Sequence, residues 1–152
     1  MSRLLGIDLG TRRIGIALAD PDGRALPLVT LRRGRDATTD GAALQALIDA
    51  HDVTELIVGL PLEASGEAGP QVVHTRAWVA AVEPCLRGVS LAWRDERLSS
   101  HVAESRVGPM KRGRSGGPPS AVQRAAYRAR IDREAAAVIL QDELDARAEA
   151  AS

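Results

Sequence analysis

The sequence predicts an α/β fold on a mixed five-stranded sheet, three strands antiparallel and then two parallel, flanked by helices. Two observations carry this. Three strand-like runs follow one another with short connections at the start of the chain, and helical and strand patterns alternate after them. At 152 residues the chain has room for an ordinary core and is too short for two, so residues 1–152 are expected to form one domain.

Leu4 to Leu9 is apolar at nearly every position and ends in Asp8-Leu9-Gly10-Thr11. Arg13 to Asp20 alternates, with Ile14, Ile16 and Leu18 on one face, and Ala25 to Leu31 follows the turn signal Pro21-Asp22-Gly23. Connections this short force antiparallel pairing, because a parallel crossover needs about a dozen residues or more. Ala42 to His51 then reads as a helix through Leu44, Leu47 and Ile48. Leu56 to Val58 is a short buried strand ending in Gly59-Leu60-Pro61-Leu62. Gln71 to Leu86 reads as a second helix distorted near Pro84, and Val89 to Trp93 as a strand running into Arg94-Asp95-Glu96-Arg97. Strands alternating with helices imply parallel pairing covered on both faces. Leu98 to Val107 is a third helix, and Gly108 to Ser120, rich in Gly, Pro and basic residues, a mobile loop. A long last helix is firm from Asp132 to Ala148, with an earlier start near Gln123 left open, and buries Ala136, Ile139, Leu140 and Leu144.

Composition narrows the function. No run of 18 apolar residues and no signal-peptide layout occurs, so a cytoplasmic protein without membrane partners is expected. Cys85 is the single cysteine and the three histidines lack paired spacing, which argues against a disulfide and against a Cys- or His-based zinc site. Net charge is zero, yet Arg94 to Arg133 holds ten Lys/Arg against four acids. A local basic excess points to an anionic partner, or to nothing more than a solvated helix surface.

Three acids fall where side chains should converge. Asp8 lies near the carboxyl end of the first strand, where a charge is costly unless paired, metal-bound or at the open end of the sheet. Glu96 follows the last strand, at the end of the sheet where ligands bind in open α/β folds, and its neighbour Asp95 should face solvent. Asp132 opens the final helix. Singly, Asp8 also reads as a turn residue and Asp132 as a helix N-cap or first-turn acid. Gathered without His or Cys, the carboxylates suit hard cations, Mg²⁺ or Mn²⁺, which in pairs hydrolyse phosphodiesters.

Four segments then match a known family in order: GIDLGTRRIGIALAD (Gly6 to Asp20), LIVGLPLEASGE (Leu56 to Glu67), WRDERLSS (Trp93 to Ser100) and IDREAAAVILQDEL (Ile131 to Leu144). On these the chain resembles the YqgF/RuvX family of ribonuclease-H-like proteins, known as pre-16S rRNA nucleases or Holliday-junction-resolvase-like proteins. The resemblance implies that Asp8, Glu96 and Asp132 are catalytic and metal-binding, and that Gly59-Leu60-Pro61 borders the site. Thr11 and Arg12 are candidate phosphate contacts, although a turn-stabilising Thr and a solvated Arg are equal readings. Lys111, Arg112 and Arg114 supply phosphate-seeking charge.

Two departures stand out. The linker before the last helix is stretched over Gly108 to Arg130. Relative to related junction resolvases, Ala135 stands where a second acid would lie three residues after Asp132, which predicts a poorer second metal site. The expected function is thus a metal-dependent nuclease in 5′-end maturation of pre-16S rRNA, acting as a monomer or weak homodimer. The alternatives are a resolvase of branched DNA and a non-catalytic nucleic-acid-binding factor in transcription. An actin-type ATPase, suggested by GIDLGT alone, would need a second lobe. Trp78 and Trp93 are expected in the core or half-buried, His101 on a helix surface and Cys85 as a small buried hydrophobe.

Overall fold

The computed structural model describes residues 3–63, 65–96 and 99–152. Strands β1 (Leu4–Leu9), β2 (Arg13–Ala19), β3 (Ala25–Arg32), β4 (Glu55–Leu60) and β5 (Ser90–Asp95) form one sheet in the order β3-β2-β1-β4-β5. The pairs β1/β2 and β2/β3 are antiparallel, and β1/β4 and β4/β5 parallel. This is the mixed sheet that the pattern predicts. Pro27 lies in β3, an edge strand that tolerates a residue without an N–H, and the β2/β3 register shifts between Ile16 and Ala17.

Helix α1 (Ala37–His51) starts earlier than its apolar pattern because Asp36 caps it, accepting from the Thr39 N–H at 2.9 Å. Helix α2 (Pro70–Val82) has Pro at its first position and gives way to a 3₁₀ turn, Glu83–Cys85, at the expected Pro84 distortion. Helix α3 spans Ser99–Val107; the expected start at Leu98 lies outside the described residues. Helix α4 runs from Ala121 to Ala151. A reciprocal pair sets its start: Ser120 Oγ accepts from the Gln123 N–H (3.1 Å) and the Gln123 side chain accepts from the Ser120 N–H (2.7 Å).

Three expectations are corrected here. Asp132 does not open the last helix; it lies well inside α4, whose N-cap is Ser120. The linker accordingly ends at Ser120, and residues 121–130 are helix. Cys85 is half-buried, its Cβ packed against Gly41 of α1, because the 3₁₀ turn carries it to the rim of the core.

The two faces of the sheet are built differently. One carries Leu5, Ile7, Ile14, Ile16, Leu56 and Val58, packed on Leu44 and Ile48 of α1 and Trp78, Val79 and Val82 of α2. The other carries Leu4, Ala17, Ala19 and Ile57, packed on Ala136, Ala137, Ile139 and Leu140 of α4; Leu144 there is half-buried. Small residues let α4 press close: a Cβ on Gly6 would lie 2.8 Å from the Ala136 carbonyl. Of the two tryptophans, Trp78 is buried and donates to Asp40 Oδ2 at 2.9 Å, whereas Trp93 is 39% exposed. No helix among the described residues is long and apolar enough to cross a membrane.

Candidate active site

β1, β4 and β5 run parallel, so their carboxyl ends share one end of the sheet. Asp8 projects there from β1, on the α4 side by alternation from Leu4 and Gly6. Glu96 follows β5 directly, its N–H bonded to the Leu60 carbonyl at 3.1 Å. The two carboxyl groups lie side by side, close enough to share a proton. Space for Glu96 comes from Gly59: a Cβ at that position would lie 3.0 Å from Glu96 Oε2 and 2.5 Å from Ile139 Cδ1. The Ser99 hydroxyl, at the start of α3 and buried, donates to Glu96 Oε2 at 3.1 Å.

The electrostatics follow from burial. Desolvation pushes the Asp8 carboxyl above its usual range, the hydrogen bond from Glu96 opposing this and the Asp132 charge adding to it. Burial pushes Glu96 up to about 10, reinforced by the Asp8 charge, and the bond from Ser99 only partly offsets this. Two desolvated carboxyls side by side favour keeping a proton between them, since both are pushed above their usual range.

Asp132 reaches the same neighbourhood from α4. Its backbone carbonyl packs on Gly15, the Cα partner of Asp8 on β2. Its carboxylate is turned to the Arg13 side chain, with which it forms an ion pair and hydrogen bond. Of the three acids singled out, the structure therefore joins Asp8 and Glu96, with Asp132 within electrostatic reach and committed to Arg13. Among the described residues no three acids enclose a common metal position. Asp95 is exposed, as alternation along β5 predicts.

Thr11 and Arg12 stand exposed on the β1–β2 turn. Arg33 holds this turn from behind, donating to the Gly10 carbonyl (3.2 Å), while its own N–H donates to the Arg12 carbonyl (2.9 Å). Lys111, Arg112 and Arg114 are exposed in the segment between α3 and α4, where the Arg112 guanidinium donates to the Gly116 carbonyl at 3.3 Å. His101 is exposed on α3, as expected. Ala135 is fully buried, so a small apolar side chain occupies the position of the missing acid.

Sequence reasoning missed Arg13, Ser99 and Arg32. Arg13 begins β2 on the same face as Gly15 and Ala17, a polar residue on an otherwise small, apolar stripe, and that was the available signal. Arg32 is its Cα partner on β3, visible only once the strand register is known.

The sheet order, the covering helices and the carboxyl pair at the strand ends define a ribonuclease-H-like fold. The Thermus thermophilus RuvC structure solved with a Holliday junction superposes with a TM-score of 0.56 over 98% of this chain and 97% of that one; at 12% identity it speaks for the fold alone. Residues 2–146 match the family described as RuvX: Holliday junction resolvase, and the chain belongs to that family. It is, by that membership, a nuclease. A relative from Anaeromyxobacter dehalogenans, named "Putative pre-16S rRNA nuclease", is 42% identical over 96% of this chain and 98% of its own length. Another of the same name, from a Roseiflexus species, is 38% identical over 94% of each.

Proposed function

We propose that this chain is a divalent-metal-dependent nuclease that hydrolyses phosphodiester bonds in 5′-end maturation of pre-16S rRNA, with Asp8, Glu96 and Asp132 as its catalytic and metal-binding residues. The observation that carries the reading is the half-buried Asp8–Glu96 carboxyl pair at the strand ends. Two desolvated carboxyls sharing a proton are a poor arrangement for stability and a good one for a hard cation, which replaces the proton and satisfies both oxygens. The all-oxygen donor set fits Mg²⁺ or Mn²⁺, with Asp132 as the third carboxylate on the adjacent helix.

When bound, such an ion supplies electrophilic activation of the scissile phosphodiester and of the attacking water. The chain's own residues do the rest. Ser99 orients Glu96 through Oε2, and Gly59 leaves the room in which Glu96 sits against the sheet. Thr11 and Arg12 on the β1–β2 turn, with Lys111, Arg112 and Arg114 beyond α3, hold the phosphate backbone on either side. The activity belongs to the cytoplasm and to a monomer or weak homodimer.

The family description favours branched DNA as a second substrate, whereas the names of the full-length relatives favour rRNA. The test is precursor rRNA and a four-way DNA junction incubated side by side with Mn²⁺, with EDTA, and with the Asp8→Asn variant. Cleavage of the precursor that needs Mn²⁺ and Asp8 is the expected result. Cutting confined to the junction would move the substrate to DNA. Full activity in EDTA would end the metal reading, and absence of cutting in all arms would leave a nucleic-acid-binding factor.

A further inference from the structure

The site as folded has its third carboxylate engaged elsewhere, and the surroundings specify how it is released. The backbone at Asp132 is already in place. Its carbonyl rests on Gly15, whose Cα partner is Asp8, and paired Cα atoms lie about 4.5–5.5 Å apart. The Asp132 charge already acts on Asp8, but its carboxylate is held by Arg13, whose guanidinium Nε donates to Asp132 Oδ2. The pair is partly shielded, with side chains 32% and 19% exposed, where a charge-assisted bond keeps much of its strength.

Arg13 also sits among like charges. Arg12 precedes it on the turn and Arg32 faces it across the β2/β3 ladder, both exposed. Directly opposed cations repel, and a phosphate between them relieves the repulsion. Asp132 is the one anion that Arg13 pairs with among the described residues, and a phosphodiester is the natural competitor for it.

We propose that Arg13 is a positioning residue that exchanges partners: without substrate it holds Asp132 away from the Asp8–Glu96 pair, and on binding nucleic acid it transfers to a backbone phosphate and frees Asp132 for the metal. This deepens the metal-nuclease reading and rests on it. The exchange would make cation binding at the third carboxylate depend on the arrival of a phosphate, so that the complete site forms only on substrate.

The experiment titrates Mn²⁺ alone, without nucleic acid, into the parent, Asp8→Asn, Arg13→Gln, Asp132→Asn and the Arg13→Gln/Asp132→Asn double variant, reading ion binding by calorimetry. Arg13→Gln should bind Mn²⁺ about tenfold more tightly than the parent, the order expected for losing one charge-assisted competitor. In the Asp132→Asn background the same change should matter less than about twofold, because no carboxylate is left to release. An equal gain in both backgrounds would make Arg13 a repelling charge and no more, overturning the proposal. So would no gain at all. If Asp8→Asn binds Mn²⁺ like the parent, the metal-site reading itself falls; if Asp8→Asn loses the ion and Arg13→Gln gains nothing, only the exchange falls. Salt-dependent binding of an RNA oligonucleotide tests the other half. Arg13→Gln should reduce the slope of log K against log[salt] by about 0.7, the value for one neutralised phosphate on a single strand. An unchanged slope would overturn the phosphate step. Arg13→Lys, which keeps the charge without the planar fork, should fall between parent and Arg13→Gln in Mn²⁺ affinity and covers the case in which Arg13→Gln does not fold.

Discussion

Gly15 and Asp132 meet with no side chain between them: a Cβ on Gly15 would lie 1.9 Å from the Asp132 carbonyl oxygen and 2.9 Å from the Arg133 nitrogen. The obstacle is helix backbone, which cannot rotate away as a side-chain tip can. A methyl group here must lift α4 off the sheet or bend β2.

Gly15→Ala is therefore expected to cost at least the 1–3 kcal/mol typical of overpacking, about 3 kcal/mol, in urea unfolding of the metal-free protein. It should also reduce the stabilisation that Mn²⁺ gives, because Asp132 would be displaced from Asp8. A variant as stable as the parent would mean that the helix–sheet spacing is soft.

The carboxyl pair predicts an unusual pH profile. Glu96 titrates near 4.5 when unperturbed and about 10 in the fold, so between these values the folded chain keeps a proton that the unfolded chain has released. Stability is fully present below the unfolded value and is lost as pH rises, by up to about 1.4 kcal/mol per pH unit for one fully retained proton. Metal-free unfolding free energy should fall between about pH 5 and pH 8. Glu96→Gln should flatten the fall, and saturating Mn²⁺ should reverse it. A parent profile that is flat without metal would show the pair to be hydrated.

The basic segment makes a separate prediction. Replacing Lys111, Arg112 and Arg114 with Ala should weaken binding to all nucleic-acid sequences alike. It should also reduce the salt slope by about 0.7–0.9 for each phosphate that the segment no longer neutralises. Filter binding across a salt series measures this. An unchanged slope would place the segment away from the phosphate backbone.

The sheet was legible because its signals are local. Three short connections force antiparallel pairing, and Leu56–Val58 and the strand before Glu96 are wholly or nearly apolar runs next to helical patterns. The start of α4 was harder. Its first turns are largely exposed and carry little apolar periodicity, so Asp132, just ahead of the buried run from Ala135 to Leu140, reads as the beginning; the Ser120/Gln123 pair is the better signal. At the site, Asp8 and Glu96 could be placed together because both stand at strand ends. The pairing of Asp132 with Arg13 depends on how α4 crosses β2, which residues far apart in sequence decide. Gly15 and Arg32 matter through what faces them, and nothing in their own neighbourhoods announces it, whereas Gly59 is legible in the Gly59-Leu60-Pro61 turn that the family resemblance sets beside the site.

Because Ser120 and Gln123 cap α4 at its own start, the number of residues from the cap to Asp132 is set within a single rigid helix. The preceding glycine- and proline-rich segment can gain or lose residues without turning or sliding that helix. Under the proposed function, insertions there would alter what the protein reaches for and leave the carboxylates where they are, so that substrate reach and bond-breaking chemistry would be separable traits, the first free to diversify while the second is kept.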